Sequence, residues 1–196
     1  MITMNIPDKI RDRLFPTVLE LFSERDFHRV NLREISRRSG ASTGTIYKYF
    51  SSKEELLFTI LDEKIGEISR LIREHIAGIE STQEVFRKAF YVVMDYYDRN
   101  PGVAITAFIT VPMRTWMEEE SYRREEEISL LHEVMEKARL RGDFDTSVKN
   151  RQVSDLFYMF CYRHIHSWYY HGMKWSLADK ISDFFDLFWR IVQRQR

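Results

Sequence analysis

The sequence predicts an all-α fold. Three observations carry that expectation. Apolar residues recur at intervals of three and four along almost the whole chain. Glycine and proline number only 7 and 4 in 196 residues. A polar residue followed three positions later by an acid marks one helix start after another, a device in which the cap side chain accepts a bond from a first-turn amide while the acid reaches back to the cap's own amide. It occurs at Asn31/Glu34, Ser52/Glu55, Ser81/Glu84 and Ser176/Asp179. Asn100 before Pro101 adds another start, since proline in the first turn gives up only a hydrogen bond that would not have formed. Strand patterns are nearly absent, and about nine helices result.

In chain order, the first helix spans about 8–25 and buries Leu14, Val18, Leu21 and Phe22 on one face. Pro16 is expected to bend or restart it, and Asp26 to end it. Two short helices follow at about 32–38 and 42–49, separated by Ser39, Gly40 and Ala41, where glycine supplies the left-handed residue a sharp turn requires. Longer helices are expected at about 53–77, 82–99, 101–111, 120–140, 148–171 and 177–194. Pro112 separates the 101 helix from a short segment at 113–117, and Gly142 caps the helix before Asp143. With no linker, repeat or low-complexity tract, the chain divides into a small N-terminal domain, 1–52, and a larger helical one, 53–196.

Composition narrows the function classes. Hydrophobic residues make up 44% of the chain, including 14 Phe, 10 Tyr and 4 Trp, which is ample for a sizeable core. The one cysteine, Cys161, cannot form an intrachain disulfide, and the N-terminus lacks a basic, apolar, small-residue leader pattern, so a reducing cytoplasm is expected. Charged residues interrupt every apolar run short of the roughly 18 positions a membrane-spanning helix needs, and no membrane partner is expected. Net charge is zero, yet residues 1–53 hold ten basic against six acidic side chains, leaving +4 there and −4 in the remainder. A basic head on a mildly acidic body attracts phosphate at one end only.

Two short helices joined by three residues hold a fixed angle only if their facing residues are apolar or small. Here Leu32, Ile35, Ser36 and Ser39 lie on one side of the first, and Ile46 and Phe50 on one side of the second. Outward on the second remain Thr43, Gly44, Thr45, Tyr47 and Lys48, flanked by Tyr49. Hydroxyls, an ammonium and a position without a side chain suit a helix entering the major groove of double-stranded DNA, with Gly44 allowing close backbone approach. Ser42 is expected to cap this helix and leave its positive end toward phosphate. Arg33 and Arg37 stand four apart on the outward face of the preceding helix, and Lys53 opens the following one, so both ends can clamp the DNA backbone. Taken singly, Arg37 and Arg38 read as solvated surface.

These segments carry a resemblance. Residues 19–25 (Leu-Glu-Leu-Phe-Ser-Glu-Arg), 31–36 (Asn-Leu-Arg-Glu-Ile-Ser), 40–50 (Gly-Ala-Ser-Thr-Gly-Thr-Ile-Tyr-Lys-Tyr-Phe) and 52–56 (Ser-Lys-Glu-Glu-Leu) resemble the N-terminal domain of the tetracycline-repressor (TetR) family of bacterial regulators. The resemblance covers about a quarter of the chain. It implies that Thr43, Thr45, Tyr47 and Lys48 face bases or adjacent phosphates and that Tyr49 and Lys53 hold the backbone. It further implies a dimer, mostly repressing, that releases DNA when a small molecule enters the C-terminal domain. The chain departs from the family at Asp26, where glycine is usual, at Pro16, where a helix former is usual, and at Ser36, which replaces a common alanine.

The C-terminal helices are strongly aromatic. Val153, Leu156, Phe157, Phe160, Cys161, His164, Ile165 and Trp168 form one stripe, and Leu177, Ile181, Phe184, Phe185, Phe188, Ile191 and Val192 another. Further apolar residues on other faces suggest one face for the core and one for a second copy, with Phe160, Trp168, Phe184 and Phe188 as interface candidates. The family dimerises through its last two long helices, which would place two recognition helices roughly 34–36 Å apart on a pseudo-palindromic operator. Candidates to line an effector pocket are Met94, Tyr97, Phe108, Met113, Trp116, Met117, Met135, Phe157 and Cys161, with His164 or a tyrosine hydroxyl as polar anchor; the effector expected is small and apolar or aromatic.

Two other readings start from other features. A helical-bundle metalloenzyme would use His164, His166, His171 and Cys161, but the Glu-x-x-His repeat such sites need is missing. A helical protein-interaction module that had lost DNA contact would carry acids or bulky side chains across 43–48, and none is present there. No phosphate loop, nucleophile elbow or Cys-x-x-Cys pair occurs, and neither a catalytic residue nor a cofactor is expected.

Overall fold

In the computed structural model, which describes residues 6–118, 125–145 and 147–194, regular structure is helical apart from one antiparallel β-bridge between Phe144 and Gln193. The helices are α1 Asp8–Glu24, α2 Leu32–Ser39, α3 Thr43–Tyr49, α4 Lys53–Ile76, α5 Thr82–Arg99, α6 Pro101–Ile105, α7 Met113–Glu118, α8 Glu125–Leu140, α9 Asn150–Tyr170 and α10 Ile181–Val192. Short 3₁₀ turns lie at Phe27–Arg29 and Ala178–Lys180. The segment expected as a uniform helix over 101–111 changes pitch after Ile105 into a π-helical turn, Thr106–Thr110. The start expected at about 120 lies outside the described residues.

Two compact units result, residues 6–64 with 102–118 and residues 65–101 with 125–194. The boundary expected between 52 and 53 therefore falls inside the first unit. Its neighbours explain why: Phe58 of α4 meets Trp116 of α7 edge-on at 4.7 Å, Arg11 of α1 pairs with Glu63 of α4, and the buried Thr106 hydroxyl reaches the Leu19 carbonyl at 3.5 Å. Contacts so far apart in sequence leave no local signal.

In the first unit, α1 buries Leu14, Phe15, Val18, Leu19, Leu21 and Phe22. It continues through Pro16 without restarting, and the proline sits on the exposed side. Asp26 ends α1 without the left-handed turn that the family's usual glycine suggests: its φ is −53°, and its carboxylate accepts the His28 amide at 2.9 Å, starting the 3₁₀ turn. Three expected caps form, with the side chains of Asn31, Ser52 and Ser81 accepting the amides three residues on at 3.0, 3.0 and 3.3 Å.

The second unit is built around Phe90 of α5. Its ring is fully buried and meets Phe157 and Phe160 of α9 at 4.4 and 5.4 Å and Phe188 of α10 at 5.0 Å. Phe160 and Phe184 stack at 3.7 Å, sealing α9 to α10. Rings of this size dominate core energetics, with tilted and edge-on pairs adding to area burial. Beside them, Asp145 N–H to the Val192 carbonyl (3.0 Å) and Arg194 N–H to the Asp143 carbonyl (2.8 Å) anchor the chain after α10.

The fourth expected cap, Ser176 over Asp179, does not form. The Ser176 hydroxyl instead donates to Asp98 of α5 at 2.7 Å, and the same carboxylate accepts the amides of Leu177 and Ala178 at 2.8 and 3.1 Å. One acid from a distant helix thus satisfies the chain entry to α10. Replacing Asp98 with alanine leaves two half-buried amides unpaired, so Asp98→Ala is expected to cost about 1–3 kcal/mol in urea unfolding, with Asp98→Asn recovering part of it.

Candidate nucleic-acid interface

The site is organised from its buried side. Ile35 of α2 and Ile46 of α3 have no solvent exposure, and Ala41 and Phe50 are almost as deep. Gly40 turns the chain between the helices at φ 68°, a conformation that disfavours any side chain. The buried Ser39 hydroxyl accepts the Ala41 amide at 3.2 Å, and Ser42 caps α3 by accepting the Thr45 amide at 3.0 Å. Ion pairs tie α2 to its neighbours: Arg38 reaches Glu20 of α1 at 2.9 Å and Glu24 at 3.4 Å, and Arg25 reaches Glu34 at 2.8 Å. Arg38 is therefore a brace, while Arg33 and Arg37 stand exposed on α2.

The opposite face of α3 is open. Tyr47 is 59% exposed, Lys48 and Gly44 are exposed, and Thr43, Thr45 and Tyr49 are half-buried. The Thr45 hydroxyl shares a 2.8 Å hydrogen bond with Ser42 Oγ, and the Lys48 ammonium lies 5.5 Å from the Tyr49 ring centre. A Cβ added at Gly44 would meet nothing nearer than Ser42 Oγ at 3.9 Å, and φ there is not left-handed, so neither packing nor backbone geometry requires glycine.

Lys53 does not stand with this group. Its ammonium donates to the Phe27 and Val30 carbonyls at 2.7 and 3.0 Å and lies 4.5 Å from the centre of the Phe27 ring. Those two bonds hold the α1–α2 connection and set Lys53 apart from the exposed side chains of α3.

The ten pocket candidates divide between the units. Phe108, Met113, Trp116 and Met117 belong to the first; Met94, Tyr97, Met135, Phe157, Cys161 and His164 belong to the second. Met113 and Met117 stand at the surface of α7, Met117 at 82% exposure, which removes them as cavity lining. Met94, Tyr97, Met135 and Cys161 are buried, and Phe157 packs on Phe90. His164 Nε2 lies 3.0 Å from the Leu177 carbonyl, and its ring stacks on Phe160.

The interface candidates are likewise corrected. Phe160, Trp168 and Phe188 are buried inside the unit and belong to the protomer's own core, while half-buried Phe184 stacks on Phe160. The exposed large apolar residues of the same helices are Met159, Tyr162, Tyr169 and Tyr170 on α9 and Leu187 and Ile191 on α10. Their spacing was visible in the sequence; which of two apolar faces turned inward was not. The histidines of the metalloenzyme reading also have separate surroundings. His166 packs on Tyr162 and His171 Nδ1 lies 2.7 Å from the Ser167 carbonyl, and among the described residues no three potential ligands gather as a metal site. Among them, too, no helix is long and apolar enough to cross a membrane.

Comparison with known proteins places this architecture. The family model for bacterial regulatory proteins of the tetR family matches residues 18–60, the stretch from α1 through α3 into α4. The HTH-type transcriptional regulator UidR of Escherichia coli (strain K12) is 30% identical over 170 residues, covering 76% of this chain and 78% of that protein. The chain belongs to the tetR family. It is therefore a DNA-binding transcriptional regulator with a helix-turn-helix head. A fatty acid metabolism regulator protein of Bacillus subtilis (strain 168) is 26% identical over 98 residues, half of this chain and 49% of that protein, so the chain spans about half the length of that relative. In structure, this tetR-family regulator is similar to the transcriptional regulator FadR from Bacillus subtilis, solved in complex with stearoyl-CoA. The TM-score is 0.81 at 16% identity, over 91% of this chain and 97% of that one.

The second unit generates a pH dependence. Burial pushes the His164 imidazole below its ordinary range, outweighing the Leu177 carbonyl and Asp98 that favour its charged form; Lys180 and Arg163 lower it further. The unfolded chain then takes up this proton first, near pH 6.5, so the stability contribution is full above that pH and is lost as pH falls toward the folded-state value. The melting temperature is expected to drop between pH 7.5 and 5.5, and to drop less in His164→Gln when the two are melted side by side.

Proposed function

We propose that this tetR-family regulator is a two-fold dimer that inserts α3 into successive major grooves of a pseudo-palindromic operator. It is a repressor, released by a small apolar or aromatic effector bound in the C-terminal unit. It acts in the cytoplasm and carries no catalytic step. The observation that carries the reading is the two-sidedness of α3: Ile46 is fully buried, while Gly44, Tyr47 and Lys48 face outward. A glycine that the protein's own packing does not need is accounted for by a DNA backbone approaching it. Arg33, Thr43, Thr45 and Tyr49 complete the proposed contact set, with Ser42 shaping the helix start.

The dimer face proposed is the outward stripe of α9 and α10. Met159, Tyr162, His166 and Tyr169 recur at three, four and three, and Leu187 and Ile191 are four apart, so each set shares one helix face. Large exposed apolar surface of this kind is usual at an interface. A chain-like apolar effector is supported by the name of the fatty acid metabolism regulator protein of Bacillus subtilis and by the stearoyl-CoA bound in the FadR structure.

Operator fragments selected from a random duplex pool provide the test. Lys48→Ala is expected to flatten the slope of log affinity against log salt by about one unit. Gly44→Ala is expected to keep or raise stability by up to about 1 kcal/mol while weakening operator binding, because only the DNA approach objects to a methyl group. Absence of duplex binding at low ionic strength defeats the proposal. For the dimer, Leu187→Glu with Ile191→Glu is expected to halve the mass measured by light scattering with helical content unchanged.

A further inference from the structure

The second unit contains a cavity of about 360 Å³ between the end of α4, the α4–α5 connection, the start of α5 and α8. Its lining shares none of the ten residues considered above. The walls are aliphatic, from Ile76, Ile79, Val85, Leu130 and Val134, of which Leu130 is buried and the others half-buried. The charged lining consists of Arg73, Lys137 and Arg141 against one acid, Glu133, an excess of two positive charges.

The arrangement of those charges leaves capacity for an anion. Arg73 and Lys137 both donate to Glu133, at 2.7 and 2.8 Å, and those two bonds hold its carboxyl below the ordinary range, so it is ionised. One carboxylate cannot neutralise two cations. Arg141 donates to the Glu80 carbonyl and has no carboxylate partner among the described residues. Exposed ion pairs such as these contribute little stability, so exchanging Glu133 for a ligand anion costs little. The aliphatic walls line a half-open cleft whose volume falls in the range of small-molecule sites, with the cations at its exposed rim.

We infer that this cavity binds an amphipathic anion, a carboxylate or phosphate head carrying an unbranched aliphatic chain, with the head held by Lys137 and Arg141 and the chain against Leu130 and Val134. Binding here is separate from the DNA reading and is measured on its own. Titration calorimetry on the full chain uses decanoate, decyl phosphate and decanol below their aggregation limits, the first two arms distinguishing a carboxylate from a phosphate head. Both anions are expected to bind, at least one of them about tenfold more tightly than decanol, and Lys137→Ala with Arg141→Ala is expected to remove that advantage while leaving decanol unchanged. Val134→Trp, with its fold checked by melting, is expected to abolish all three. No anion binding up to the solubility limit, equal affinity for decanol, or anion binding unaltered in the double variant or in Val134→Trp overturns the inference. Operator affinity is measured in the same samples: decanoate binding that leaves it unchanged counts against this ligand as the effector but not against the site.

Discussion

Ile46 is the residue on which the proposed DNA-facing surface depends. A seven-residue helix has no stability of its own in water, so α3 exists because one of its faces is held against the rest of the unit. Rotating it by one position would expose Ile46 and press the Tyr47 hydroxyl or the Lys48 ammonium into an apolar interior, a change that loses burial and adds desolvation. The direction in which Tyr47 and Lys48 point is therefore set by an isoleucine that touches no nucleic acid. Gly40 gives α3 its angle, Ser42 its starting point, and the Arg38 and Arg25 ion pairs limit the movement of α2 beneath it.

The second unit follows a different economy, in which aromatic rings fill the centre and a second set of apolar side chains is left outside. Phe90 meets rings from both α9 and α10, so these helices are oriented by their contact with α5. Once Phe160 and Phe188 are committed to it, only the reverse faces remain for another molecule, and those faces carry Met159, Leu187 and Ile191. Asp98 and His164 close the same region by holding opposite sides of one short segment, the carboxylate accepting its amides and the imidazole lying against the Leu177 carbonyl.

Charge is placed according to how strongly it is bound. Arg38 and Lys53 are braces with two partners each; removing Lys53 takes a donor from the Phe27 and Val30 carbonyls, and removing Arg38 unpairs Glu20 and Glu24. Lys48 and Arg33 are exposed and remain disposable to a partner. Arg73 and Lys137 at the cavity beside α8 fall between these limits, since their partner Glu133 is shared and solvent-accessible. A lysine's sequence position does not separate these roles; the carbonyls and carboxylates that surround it do.

By itself the sequence determined what short-range geometry can encode: the helices, the caps at Asn31, Ser42, Ser52 and Ser81, the left-handed turn at Gly40 and the two-sided character of α3. Each rests on partners within four residues, a distance that periodicity and cap chemistry describe directly. Only the tertiary structure decided that Ser176 answers to Asp98, that Lys53 braces Phe27 and Val30, that Asp26 caps a turn instead of bending back, and which aromatic face of α9 is interior. These outcomes depend on groups tens of residues away in the chain, and an apolar face or a charged side chain looks the same in sequence until its neighbours in space are known.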